Sequence, residues 1–269
     1  MLHIVLDKTS KGKKLSYKIV RLDILIVMLV SFLTLLVSSR VLRGVKLRQI
    51  PTVEASLEAV RVATEKGTPL FFDTGWTGSN FWGASSGLTT LAFVPSTLEL
   101  LKRISTEAGR LGVRIITGTT NAVYAMMSQD YMETGFGLSG HPERFNKDDI
   151  NFYPDNTGLV LSGVEKINRF HVGAAVMIGG HNQTSNIVLY EALATQGAML
   201  VAGEIWPNDN SMAALCADYL SFAEENIAVG AYLSEDPVPK AILAGEDLIK
   251  AFLVGTIVIG GVLYYLKVI

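Results

Sequence analysis

The chain has 269 residues, 49% of them hydrophobic and 18% charged, with a formal net charge of −2 and a mean hydropathy of +0.34. Near-neutrality removes any general pull toward nucleic acid, so none is expected as a partner, and a single cysteine, Cys216, excludes an internal disulfide framework and a cysteine-rich metal site. The apolar excess is high for a soluble enzyme and is concentrated in two stretches, one early and one late in the sequence.

Residues 1–21 form a basic tail carrying Lys8, Lys11, Lys13, Lys14, Lys18 and Arg21. From Ile24 to Ser39 there is no charge, and Val41 and Leu42 extend the apolar run past Arg40. Crossing about 30 Å of hydrocarbon takes about 20 residues, and Asp23 and Arg40 can reach toward the headgroups, so 22–42 reads as a first transmembrane helix. A cleaved signal peptide is the other reading, but Ser38-Ser39 runs directly into Arg40, Arg43, Lys46 and Arg48, a poor cleavage site.

Residues 43–245 read as one soluble domain. After Pro51, the run TVEASLEAVRVATEKG sets Val53, Leu57 and Val60 on one helical face and ends at Gly67, where a C-terminal cap belongs. PLFFDTG (69–75) is a short apolar run closed by a turn, the pattern of a strand buried on both faces. A helix over 86–111 follows, with a kink or break expected at Pro95, then strand 113–117, helix 121–133 and a Gly/Pro-rich loop to 149 that is a candidate lid or contact surface. Strand 150–154, a helix to Phe170, strand 172–180, helix 185–196, strand 198–204, a short helix near 211–216, strand 218–222 and helix 224–233 complete the series. Strict alternation predicts an α/β fold with a doubly wound, mostly parallel, Rossmann-like sheet. Cys216, on the short apolar helix, is expected to be a small buried side chain.

Open parallel sheets bind ligands beyond the carboxyl ends of their strands. The strand exits therefore supply the candidate ligand-binding residues: Asp73, Thr74, Thr117, Asn121, Gly179, Gly180, His181, Asn182, Ser185, Glu204 and Glu224. Each has a purely structural alternative, because polar and Gly-rich turns cap helices in any α/β protein. The segment Gly179–Ser185 is the most suggestive: glycines ahead of a helix can present backbone N–H groups to an anion, although the lysine of a P-loop is missing. Gly135-x-Gly137-x-x-Gly140 matches the dinucleotide fingerprint by letter but follows a helix instead of a strand. Asp73-Thr74-Gly75 resembles the catalytic turn of aspartic proteases, which are all-β.

There is no Gly-x-Ser-x-Gly elbow, and His3, His141, His171 and His181 lack metal-ligand spacing. No catalytic residue is assigned, no metal is expected, and the cofactor stays unknown. Glu204, Glu224 and Glu225, with Asp73 or Asp209, are either an acid/base or cation site or solvated helix-start carboxylates.

Residues 246–269 read as a second transmembrane helix with a short tail. Ala251–Leu266 is apolar, bracketed by Lys250 and Lys267, with Tyr264 and Tyr265 at the level where aromatic side chains favour the interface. Ala251 and Gly255, and Thr256 and Gly260, are spaced small-xxx-small and are candidates for packing against another membrane helix. A buried core helix is the alternative, because the apolar run is short for a span. Two spans place both flanks on one side of the bilayer. The basic residues on either side of the first span conflict, and a cytoplasmic domain is expected from its architecture and its lack of disulfides.

Ala217-Asp218-Tyr219, Glu224-Glu225, Ala231-Tyr232-Leu233-Ser234, Pro237 and Gly245-Glu246-Asp247 with Lys250 form one set of motifs. Arg43-Gly44, Ile50-Pro51 and Ala63-Thr64-Glu65-Lys66-Gly67-Thr68-Pro69 form another. Together they resemble an uncharacterised family of archaeal and bacterial membrane proteins catalogued only as a domain of unknown function. The resemblance covers most of the chain, implies a Rossmann-like domain between two terminal membrane helices, and transfers no active-site residue. The long basic tail and the Gly-rich stretch at 75–87 depart from the family pattern. The expected function is a membrane-anchored scaffold or assembly module, non-enzymatic, with the bilayer and a homo-oligomer or membrane complex as partners. The alternative is a membrane-tethered small-ligand or nucleotide sensor, or an enzyme, working through the strand exits.

Overall fold

The computed structural model describes residues 22–42, 44, 49–75, 87–181, 183–204, 207–222 and 224–266. Residues 1–46 and 236–269 make one compact unit and residues 47–235 another. The first unit contains helices α1 (Leu22–Val41) and α9 (Pro237–Tyr265).

The second unit runs α2 (Pro51–Lys66), β1 (Leu70–Gly75), α3 (Gly87–Leu111), β2 (Ile115–Thr119), α4 (Ala122–Leu138), β3 (Ile150–Phe152) and α5 (Asn156–Phe170). It continues with β4 (Ala174–Gly180), α6 (Gln183–Thr195), β5 (Met199–Glu204), α7 (Pro207–Cys216), β6 (Tyr219–Phe222) and α8 (Glu224–Leu233). The strands form one six-stranded, wholly parallel sheet in the order β3-β2-β1-β4-β5-β6. Because successive side chains point to opposite faces, Phe72 and Val176 enter one apolar layer with α2 and α3, while Phe71 and Met177 enter another with α5 and α6. That two-sided burial is why these strands read as unbroken apolar runs. Ala55, Ala59 and Ala63 are all buried along α2, small side chains that let the helix sit close beneath the sheet.

Three local expectations are corrected. Pro95 does not break α3, which is continuous from Gly87 to Leu111. This part of α3 packs directly on α8: Ser96 Oγ donates to Ile227 O of α8 at 2.6 Å, and Gly230 of α8 lies so close that an added Cβ would meet Ser96 Cα at 2.6 Å. The irregular loop expected at 135–149 is also much shorter, because α4 continues to Leu138 and two single 3-10 turns, Pro142–Arg144 and Lys147–Asp149, take up most of the rest. Gly135 and Gly137 continue the helix despite their low propensity, since Gly135 is the point where α4 crosses α3. Cys216 is exposed. It lies one position off the Ala213/Ala217 stripe that α7 turns toward the sheet.

In the first unit, the apolar run expected at 251–266 is the second half of a 29-residue helix, α9. This helix begins at Asp236, whose side chain accepts the Val238 N–H at 2.9 Å, with Pro237 in the first turn where a missing N–H costs nothing. Among the described residues α9 is the one helix long and apolar enough to cross a bilayer; the apolar part of α1, Leu25–Val41, is shorter. The two helices meet at Gly245, where a Cβ would come within 2.6 Å of Ser38 Cβ. Gly255 and Gly260 face open space, Thr256 returns its hydroxyl to Phe252 O, and Ala251 is exposed.

A buried carboxylate–imidazole–carboxylate cluster at the strand exits

The strand order reverses between β1 and β4, and the helices that follow these two strands, α3 and α6, pack on opposite faces of the sheet, the arrangement beside which doubly wound sheets bind ligands. Asp73 lies on β1, in register with Gly118 of β2 and Met177 of β4. His181 follows the last residue of β4, and Glu204 ends β5, in register with Gly179 and Phe222. Three separate strands thus bring these side chains to one place.

His181 Nδ1 lies 3.0 Å from Glu204 Oε1, and His181 Nε2 lies 3.6 Å from Asp73 Oδ2. These are ion-pair contacts, since neither ring nitrogen makes an aligned hydrogen bond. All three side chains are almost completely inaccessible, at 0% for Asp73 and Glu204 and 2% for His181. Ionisable groups are rarely buried to this extent unless paired, because each isolated charge costs several kcal/mol to desolvate, on the order of the whole stability margin. Burial by itself drives the imidazole toward its neutral form, but the Glu204 carboxylate, and then Asp73, outweigh it and push the His181 pKa up to about 10. The ring is therefore an imidazolium at neutral pH.

Glu204 is held from several directions. Its Oε2 accepts the His181 backbone N–H at 3.2 Å, and its Oε1 accepts the Tyr190 hydroxyl of α6 at 2.9 Å. Burial, and then the neighbouring Glu204 charge, raise the Tyr190 pKa, so the phenol remains a donor. Asn210 of α7 accepts the Glu204 N–H at 3.3 Å, and its amide and that of Asn226 each donate to the Glu204 carbonyl at 3.1 Å. Asn226 in turn accepts from Ser221 of β6, and Gly203 leaves the room that both need. The carboxylate is thus held by two donors and its backbone by the two asparagines, which fixes it against the imidazolium.

The other candidates fall into different roles. Thr117 is buried within β2, and Asn121 caps α4 by accepting the Tyr124 N–H at 3.0 Å. Gly179 and Gly180 belong to β4 itself, paired with Glu204 and Gly75, so they are strand residues and not a loop ahead of the helix. Glu224 starts α8 on the exposed surface, and Glu225 is partly exposed, with Oε2 3.4 Å from the Phe222 N–H. The side chains of Thr74, Asn182, Ser185 and Asp209 lie outside the described residues. Of the carboxylates considered, Asp73 and Glu204 converge. Among the described residues no group of three His, Cys, Asp or Glu side chains is disposed to hold a metal ion.

A family model described as "Domain of unknown function (DUF6754)" matches residues 11–269. The chain belongs to this family. The match spans both units, so the family is defined by the helical pair together with the α/β domain. Comparison with the curated proteins and with the solved structures returns no match.

Tyr190, Asn210, Ser221 and Asn226 are the site residues that sequence reasoning missed. Tyr190 carried the one available signal: an aromatic hydroxyl within an otherwise apolar helix segment needs a buried acceptor. The asparagines and the serine read as ordinary cap and turn residues, and only the fold turns them toward Glu204.

Proposed function

We propose that this is a membrane-anchored small-ligand-binding protein whose α/β domain takes a polar molecule bearing an ammonium or hydroxyl donor above β1 and β4. The reading rests on the buried Asp73–His181–Glu204 cluster, in which two carboxylates face one imidazolium and leave a net negative charge at the carboxyl ends of β1, β4 and β5. The exit segments 73–75, 117–121, 179–181 and 203–204 contain no lysine or arginine, which favours a donor-bearing ligand over a phosphate here. The strand order is the one used by doubly wound nucleotide-binding sheets, which supports this reading. In this proposal α1 and α9 both span the bilayer, α1 with help from Arg40 at its end, and the domain faces the cytoplasm.

A second reading, self-assembly within the membrane, has one observation in its favour. Side chains could be added at Gly255, Gly260 and Gly261 of α9 without meeting any atom, so a neighbouring helix has room to approach there.

A thermal-shift series on the full chain in detergent tests the first reading, using amino acids, polyamines and nucleosides as probes. A ligand at one hundred times its Kd adds about 2.7 kcal/mol of stability. The expected result is a higher Tm with at least one of these classes, lost in Asp73→Asn. No shift with any class, or an equal shift in Asp73→Asn, contradicts it.

A further inference from the structure

We propose a second site, at the amino ends of β2 and β3, that binds a phosphate group between Arg114 and Arg144. A groove of about 390 Å³ opens there, lined by Gly112, Val113, Arg114, Arg144, Asn146 and Asp149. Its position follows from the chain path: Arg114 immediately precedes β2, Asp149 immediately precedes β3, and Arg144 and Asn146 come from the 3-10 turns between α4 and β3.

Both guanidiniums are held in place with donors to spare. Arg114 Nε lies 2.9 Å and 3.0 Å from the two Asp149 oxygens, Nη2 lies 2.5 Å from Oδ1, and the guanidinium carbon sits 4.6 Å from the Phe170 ring centroid. Its Nη1 has no protein partner among the described residues. Arg144 Nη1 donates to Gly109 O at 2.5 Å and Arg110 O at 3.4 Å, the terminal carbonyls of α3, and its Nε and Nη2 are likewise left over. Asn146 Oδ1 accepts the Asp148 N–H at 3.1 Å, so its amide NH2 is the end with capacity remaining.

The carboxylate in this groove does not cancel that surplus. Asp149 is 5% exposed at its side chain, with both oxygens occupied by Arg114, whereas the Arg114 side chain is 47% exposed. Two guanidiniums against one carboxylate leave one positive charge, and the open donors are planar N–H groups. Phosphate matches this chemistry, because its several acceptor oxygens can engage Arg114 Nη1 and the Nε/Nη2 fork of Arg144 at once. Of the nearby acids, Glu143 is engaged with His141 at 3.1 Å and Glu107 with Arg110 at 3.7 Å, and the exposed Asp148 is balanced in charge by the adjacent exposed Lys147. The phosphate is supplied either by a soluble monoester or by a lipid headgroup, and the two sources can be told apart.

The full chain in detergent is titrated with glycerol 3-phosphate and, separately, with dihexanoyl phosphatidic acid, using dihexanoyl phosphatidylcholine as the lipid control; binding is read from ³¹P linewidth and calorimetry. Asn146→Asp tests the groove without disturbing the fold, since it keeps the Oδ1 acceptor for Asp148 and adds a negative charge. Binding of either phosphate compound, weakened at least tenfold by Asn146→Asp and by Arg144→Gln and partly retained in Arg144→Lys, supports the site. Binding of the soluble ester assigns the source as a free monoester, and binding of the lipid alone assigns a headgroup. No binding of either compound, or binding unchanged in both Asn146→Asp and Arg144→Gln, overturns it.

Discussion

His181 and Glu204 form an ion pair with almost no solvent access, Nδ1 3.0 Å from Oε1, at a point where β4 has ended and β5 is ending. A buried pair of this kind needs further hydrogen bonds on its charged atoms, and here the Tyr190 hydroxyl and the His181 backbone N–H hold the Glu204 carboxylate while Asn210 and Asn226 fix its backbone.

Glu204→Gln removes one charge from this pair and leaves the imidazolium facing Asp73 alone. Breaking a buried pair by removing one partner costs about 3–5 kcal/mol. Tyr190→Phe leaves the charges and removes one donor, at a cost of about 1–3 kcal/mol. Denaturant unfolding of the full chain measures both. A loss below about 1 kcal/mol in Glu204→Gln contradicts the pairing, since exposed pairs are worth no more than that.

The raised pKa of His181 makes stability depend on pH in a defined direction. A folded-state pKa above the unfolded value of about 6.5 means that the folded protein holds its proton more tightly. The stabilisation is therefore complete below about pH 6.5 and is lost as pH rises through about 10. Unfolding free energies at a series of pH values between 6 and 10 should fall more steeply for the wild type than for His181→Asn. Parallel profiles would show that His181 is neutral when folded.

Gly135 and Gly137 lie two residues apart on α4 and are expected to respond in opposite ways. At Gly135 a Cβ would sit 2.6 Å from Lys102 O and 2.6 Å from Ser105 Cβ, so Gly135→Ala forces α3 and α4 apart and costs about 1–3 kcal/mol. At Gly137 nothing lies within 4 Å, and alanine stabilises a helix over glycine by about 0.5–1 kcal/mol. Thermal melts of the two variants should shift in opposite directions. Shifts of the same sign would place the α3–α4 contact elsewhere.

Much of the fold was legible in the residues because strands buried on both faces and helices buried on one leave different periodicities. The Leu70–Phe72 start of β1 and the AAVMI start of β4 stand out as continuous apolar runs, and Gly67 marks the end of α2 with φ of 64°. The errors came where distant contacts override local preference: α3 crosses Pro95 because α8 supports it, and α4 crosses two glycines because α3 lies against one of them. For the candidate site, Asp73, His181 and Glu204 were each legible as polar residues at strand exits. Their meeting was not, because it depends on strand order, and sequence order would have placed β1 no closer to β4 than to β3.

Composition and periodicity alone determined that the chain combines an apolar helical portion with an alternating α/β domain, since burying or exposing a side chain follows from its hydrophobicity and its position in a 2.0 or 3.6 repeat. Tertiary structure decided which polar residues become charged neighbours. Placing β4 beside β1, with β5 next to it, puts one imidazole between two carboxylates whose sequence separations are 108 and 23 residues, counted from Asp73 and Glu204 to His181. Their excess negative charge was invisible in the sequence because electrostatic coupling depends on distance and on the exclusion of water, and folding sets both.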